Sequence, residues 1–217
     1  MATWPSFARH MAAANPPAAM ANVVSAVAAL DTTPPGASRL LRDFFGAGHP
    51  LAGEIGARVT RLDHVGAIAP AGSTLDDAEA ALRASGFTAG TRRFRSRILA
   101  ADLSERLRRS VRVDMVESWS GPDAGLRLGF EWFVADLPPD ELELLVREEF
   151  GCHVALRLAA GVRTEEIHAI ASRASLDPAP TLVTPIRANA DIGVELFYLD
   201  RTDESGRVRR LELVAET

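Results

Sequence analysis

The sequence predicts an α+β chain: two tandem βαβββ modules forming curved mixed sheets around a cavity, preceded by an N-terminal helical extension. Three observations carry that prediction. A strand-like, then helix-like, then strand-rich order runs from "RLDHVGAIAP" and runs again from "CHVALRL". Each opening strand carries a histidine, and a later strand of the same module carries a carboxylate on the face opposite its aliphatic residues. The residues before 59 are alanine-rich and lack this alternation.

The 217 residues, 47% hydrophobic and 24% charged, with a mean hydropathy of +0.03, are those of a soluble chain able to bury a core. The net charge of -5, without a long run of one sign, argues against wholesale nucleic-acid binding. There is no lysine, which excludes Schiff-base catalysis and covalent pyridoxal phosphate; with the abundant alanine it matches a GC-rich bacterial genome. A single cysteine, Cys152, fits a reducing cytoplasm, and it shares the apolar strand face of Val154, Leu156 and Leu158, as a packed thiol does.

In chain order, the extension is assigned to 1–58. A helix is expected over about 16–30, capped by Asn15 with Pro16 in its first turn, too short to span a membrane. "TTPPG" is read as a breaker, and a second helix as beginning near Ser38. The first module is assigned to about 59–120. It comprises the "RLDHVGAIAP" strand, a capped helix "STLDDAEAALRASG" closed by Gly86, and arginine-rich strands leading to "VRVDMVESW", with 101–109 as loop or helical turn. Residues 121–149 read as a linker holding an extra strand and a short helix after Pro139. The second module, about 150–217, holds "CHVALRL", the helix "RTEEIHAIASRA", and strands "TLVTPIRAN", "IGVELFYLD" and "RVRRLELVAE".

The histidines and carboxylates form the candidate site. His64 and Asp114 lie 50 positions apart in the first module, and His153 and Glu212 lie 59 apart in the second. Asp114 opposes the Val111–Val113–Met115 face, as Glu212 opposes that of Leu211, Leu213 and Ala215; Glu117 is the runner-up but points the other way. Two imidazoles and one or two carboxylates on a concave face suit a divalent first-row ion: Fe, Mn, Co, Ni or Zn. Singly, each is more simply a surface group; the fourfold repeat is what argues for a site. Arg157, on the His153 face, and Arg112 are candidates for binding an anionic group. His168 reads as an ordinary helical histidine, and no Walker A, G-x-G-x-x-G, G-x-S-x-G or H-E-x-x-H motif occurs.

"LDHVGAIAP" with "LDDAEAALRASGF", then "CHVALRL", then "FYLDRTDESGRVRRLELVAE" resemble in order and spacing the vicinal oxygen chelate superfamily, which includes glyoxalase I, methylmalonyl-CoA epimerase, extradiol dioxygenases and fosfomycin-resistance proteins. The resemblance covers about 61–217. It implies His64, His153 and Glu212 as metal ligands, with Asp114 where glyoxalases carry glutamate and epimerases glutamine. It implies a lyase or isomerase acting on a small oxygenated carbonyl compound through an enolate-like intermediate, to which the lone cysteine adds a cytoplasmic setting and the arginines an anionic substrate. Glu212 would be a ligand and the candidate catalytic base, and no nucleic-acid or membrane partner is implied beyond a homodimer. Two alternatives stand beside it: an Fe(II) dioxygenase using His64, His153 and Glu212 alone, and a metal-free metabolite- or antibiotic-binding protein.

Overall fold

A computed structural model describes residues 4–11, 15–121, 127–175, 181–189, 194–202 and 207–216. The chain divides into two compact units. Unit 1 comprises Met1–Trp4, Leu30–His64 and His153–Thr217; unit 2 comprises Pro5–Ala29 and Val65–Cys152. The boundary falls inside strand β1 (Val59–Ile68), between His64 and Val65. The N-terminal helices therefore divide: α1 (Phe7–His10) and α2 (Pro16–Ala28) belong to unit 2, and α3 (Pro34–Phe45) and α4 (Pro50–Gly56) to unit 1. Asn15 caps α2 as expected, accepting from the Ala18 N–H at 3.0 Å. The second helix starts earlier than expected: Thr33 caps α3, and Pro34 and Pro35 occupy its first turn, where a missing N–H costs nothing.

Unit 2 follows β1 with α5 (Leu75–Ala84), β2 (Phe87–Arg95), α6 (Arg97–Leu107), β3 (Val113–Ser120), β4 (Gly129–Ala135) and α7 (Pro139–Glu148). A reciprocal capping box fixes the start of α5, with Thr74 Oγ1 accepting from the Asp77 N–H and the Asp77 carboxylate accepting from the Thr74 N–H. Two expectations change here. "FRSRILAA", read as strand, is strand β2 only through Arg95 and is helix α6 from Arg97, because Ser96 Oγ accepts from the Leu99 N–H and starts a turn. The extra strand of the linker is β4, which pairs antiparallel with β3 from Val113↔Ala135 to Trp119↔Gly129 and is a member of the first module's sheet. The strand order in this unit is β2-β3-β4-β1. Val113, Met115 and Phe133 pack with Leu99 and Leu103 of α6 and with Leu142 and Leu145 of α7.

Unit 1 contains β5 (His153–Leu158), α8 (Thr164–Ser175), β6 (Thr181–Asn189), β7 (Val194–Thr202) and β8 (Val208–Glu216), with β1, β5, β8, β7 and β6 side by side in that order. β5 and β8 run parallel with Ala155 opposite Glu212, and β7 and β8 antiparallel with Tyr198 opposite Glu212. Val154, Leu156, Leu211, Leu213, Phe197 and Leu199 fill one face, where the His168 ring of α8 meets Phe197 at 5.9 Å. That packing leaves the other face to His153, Ala155, Arg157, Glu212, Val214 and Tyr198. Among the described residues no helix is long and apolar enough to cross a membrane.

A candidate metal centre

In unit 1, the bonds from Ala159 N–H to Arg58 O and from Thr60 Oγ1 to Arg157 O set β1 antiparallel to β5. In that register His64 stands opposite His153, and their rings meet edge-on with centroids 5.2 Å apart. β8, on the other side of β5, brings Glu212 to both. Its Oε1 is 3.6 Å from His64 Nε2 and its Oε2 is 3.6 Å from His153 Nε2. All three residues are buried, at 8%, 5% and 2% exposure, so three ionisable groups share a site nearly closed to water.

The spacing fits a cation. Nitrogen and oxygen ligands about 2.0–2.2 Å from a common tetrahedral centre lie roughly 3.4 Å from one another. The 3.6 Å separations sit close to that value and at the outer limit of hydrogen bonding. The ligand atoms of the three residues all fall within 4.8 Å of one another. Burial alone would push the Glu212 carboxyl up. The His64 and His153 imidazoles and the Tyr198 hydroxyl outweigh it and hold the group below the ordinary glutamate range.

A second carboxylate supports the first histidine from behind. Asp63 Oδ2 lies 3.1 Å from His64 Nδ1, and Arg157 grips Asp63 with Nε on Oδ1 at 2.7 Å and Nη2 on Oδ2 at 3.3 Å. Arg61 adds a contact to Oδ1 at 3.0 Å. Burial opposes charge on Asp63, but its bonds to His64 and Arg157 more than reverse this and hold it well below the usual carboxylate range. Arg157, expected to bind an anionic substrate, is thus committed to Asp63 and, at 2.9 Å, to Glu216. The chain missed by sequence reasoning is Arg157–Asp63–His64. Its signal was an aspartate beside the histidine, in a strand whose alternation should have sent the two apart.

Three of the four expected ligands come together in unit 1. Asp114 belongs to unit 2, on β3, where Arg112 Nε donates to it at 2.8 Å and Arg95 lies 3.8 Å away. Parity misled here because β3 is packed on both faces: Val116, on Asp114's own side, is as fully buried as Val113 on the other. Arg112, the other residue expected to bind an anion, is largely exposed and pairs with this aspartate. Strand order supplies a further correspondence. Each module sets its last strand beside its first, β8 beside β5 and β4 beside β1. Glu212 stands opposite the residue two past His153. Read in the same parallel sense, the bond from Ala69 N–H to Phe133 O sets Glu131 opposite Gly66, two past His64. Glu131, within the stretch assigned to a linker, is therefore the repeat equivalent of Glu212.

No protein-family model and no curated protein sequence matches the chain. Among solved structures it is similar to a Streptomyces coelicolor methylmalonyl-CoA epimerase variant in complex with 2-nitronate-propionyl-CoA. That likeness has 19% identity and a TM-score of 0.45, over 73% of this chain and 99% of that one. The Mycobacterium tuberculosis methylmalonyl-CoA epimerase gives 17% identity and a TM-score of 0.42, over 73% of this chain and 89% of that one. A glyoxalase superfamily protein from Ralstonia eutropha JMP134 gives 11% identity and a TM-score of 0.40, over 97% and 91% of the two chains. These three structural neighbours are thus two methylmalonyl-CoA epimerases and a glyoxalase-superfamily protein.

Proposed function

We propose that His64, His153 and Glu212 hold a divalent first-row metal ion, and that the protein is a metal-dependent enzyme acting on a small oxygenated carbonyl compound. The observation that supports this is the buried convergence of two imidazoles and one carboxylate at metal-ligand spacing. When bound, the metal would polarise substrate oxygens as a Lewis acid and favour loss of the adjacent proton. Three protein ligands would leave the metal open to a substrate oxygen. Val214, clustered with Ala155 and Val194, extends the same face as an apolar wall. Glu212 serves as ligand in this reading.

A second reading is favoured by the same three-residue set. Two histidines and one carboxylate are the donor set of Fe(II) oxygenases, and Asp114 lies outside the cluster. Two assays on protein reconstituted anaerobically with Fe(II), and separately with Zn(II), distinguish the readings. Exchange of a substrate α-proton for deuterium in D2O, without oxygen uptake, supports the proton-transfer enzyme. Oxygen uptake confined to the Fe(II) form supports the dioxygenase. Protein that retains no metal and tolerates chelator in both assays overturns the metal-dependent reading.

A further inference from the structure

We propose that Asp63 is a positioning residue: it fixes the His64 imidazole in the Nδ1–H tautomer and so aims the bare Nε2 at the ligand cluster. The inference deepens the metal reading and rests on it, but its first test does not require a metal. A neutral imidazole has one donor and one acceptor nitrogen, and its partners decide which is which. His64 has a carboxylate at each end. Asp63 Oδ2 is 3.1 Å from Nδ1, within hydrogen-bond reach, while Glu212 Oε1 is 3.6 Å from Nε2. An ionised carboxylate only accepts, so the closer pair places the ring proton on Nδ1. Nε2 then offers its lone pair toward Glu212 and His153.

Asp63 can do this because it is itself immobilised. Arg157 binds both of its oxygens and Arg61 one of them, and the aspartate is 2% exposed. Arg157 is anchored in turn by Glu216 at the end of β8, the strand that carries Glu212. The ion-pair chain therefore ties β1, β5 and β8, the three strands that supply the ligand cluster. Outer partners of this kind orient a ligating imidazole and raise its basicity, and losing one typically weakens metal binding about 10–100-fold.

The test is a long-range 1H–15N correlation of the imidazoles in metal-free, 15N-labelled protein, with pH raised until the ring shifts stop moving. The His64 signals are assigned by their loss in His64→Ala. The expected result is the Nδ1–H pattern for His64, against the Nε2–H form that free histidine prefers. An Nε2–H pattern in the wild type overturns the proposal, and this measurement needs no Asp63 variant to fold. In Asp63→Ala the ring should move to Nε2–H and Co(II) affinity, by competition with a chromophoric chelator, should fall about 10–100-fold. Unchanged Co(II) affinity in a folded Asp63→Ala overturns the positioning role while leaving the metal centre standing. Co(II) that fails to bind the wild type overturns the metal centre instead, a different readout from the tautomer.

Discussion

His153→Ala separates a ligand from a core histidine. His153 is 5% exposed on β5, but its neighbours Val154 and Leu156 pack the opposite face with no exposure at all. Truncating the imidazole leaves that packing intact, so the metal-free variant should lose only about 1–3 kcal/mol, the range for an ordinary buried substitution. For a chain of this size each kcal/mol moves Tm by roughly 2–4 °C. Metal binding adds a second effect. A metal at about 100 times its Kd stabilises the folded wild type by about 2.7 kcal/mol, which is about 5–11 °C in Tm. Thermal unfolding of wild type and variant, each with chelator and with Zn(II), gives four midpoints. The expectation is a rise with Zn(II) in the wild type and none in the variant. A variant that keeps the full rise, or one that is simply unfolded without metal, refutes the argument and makes His153 a structural residue.

Four further predictions follow from the same geometry. Asp114→Ala should leave metal affinity unchanged and alter stability by no more than about 1 kcal/mol, since its pairing with exposed Arg112 is a surface ion pair; isothermal titration with Zn(II) showing weakened binding would return Asp114 to the ligand set. Glu212 and Asp63 both have depressed folded pKa values, so their stabilisation is complete above the unfolded carboxylate range of roughly 4 and is lost as pH falls through the folded values. Urea unfolding of metal-free protein between neutral pH and pH 3 should show that loss, and Glu212→Gln should flatten it. Cys152 is buried and its thiol is pushed up to about 12, first by burial, so native protein should resist a thiol-reactive dye and denatured protein should react fully. Gly151, at φ +78° with the space of a Cβ lying 2.6 Å from Leu99 Cδ1, should not accept alanine: Gly151→Ala should lower Tm measurably while Gly161→Ala, strained in φ but sterically open, should lower it less.

Much of this was legible in the sequence for a local reason. Strand alternation placed His153 and Glu212 on one face of β5 and β8 because the other face is uniformly aliphatic, and the structure packs that aliphatic face. Thr74 and Asp77 announced α5 by a capping box whose bonds are between neighbours. The repeat order itself survived, as two strand–helix–strand modules. What failed depended on pairing between distant segments. Asp114 looked equivalent to Glu212 because β3 was taken for the module's closing strand; only the order β2-β3-β4-β1 shows that β4 closes it and that Glu131 holds the corresponding position. Arg157 looked like a free cation because Asp63, 94 residues away in sequence, is invisible to parity. The N-terminal segment looked like one extension because nothing local says that α2 and α3 belong to different units.

The measurement that bears most directly on the metal centre is the stoichiometry of divalent metal bound by chelator-stripped protein, titrated with Zn(II) and with Fe(II) under nitrogen. The wild type should bind one ion per chain, and His64→Ala, His153→Ala and Glu212→Ala should each abolish that binding while remaining folded by circular dichroism. Because a ligand's loss should exceed the 10–100-fold effect of an outer partner, the affinity of each variant should fall by more than about 100-fold. A wild type that binds no metal, or three folded variants that bind it as tightly as the wild type, contradicts the account.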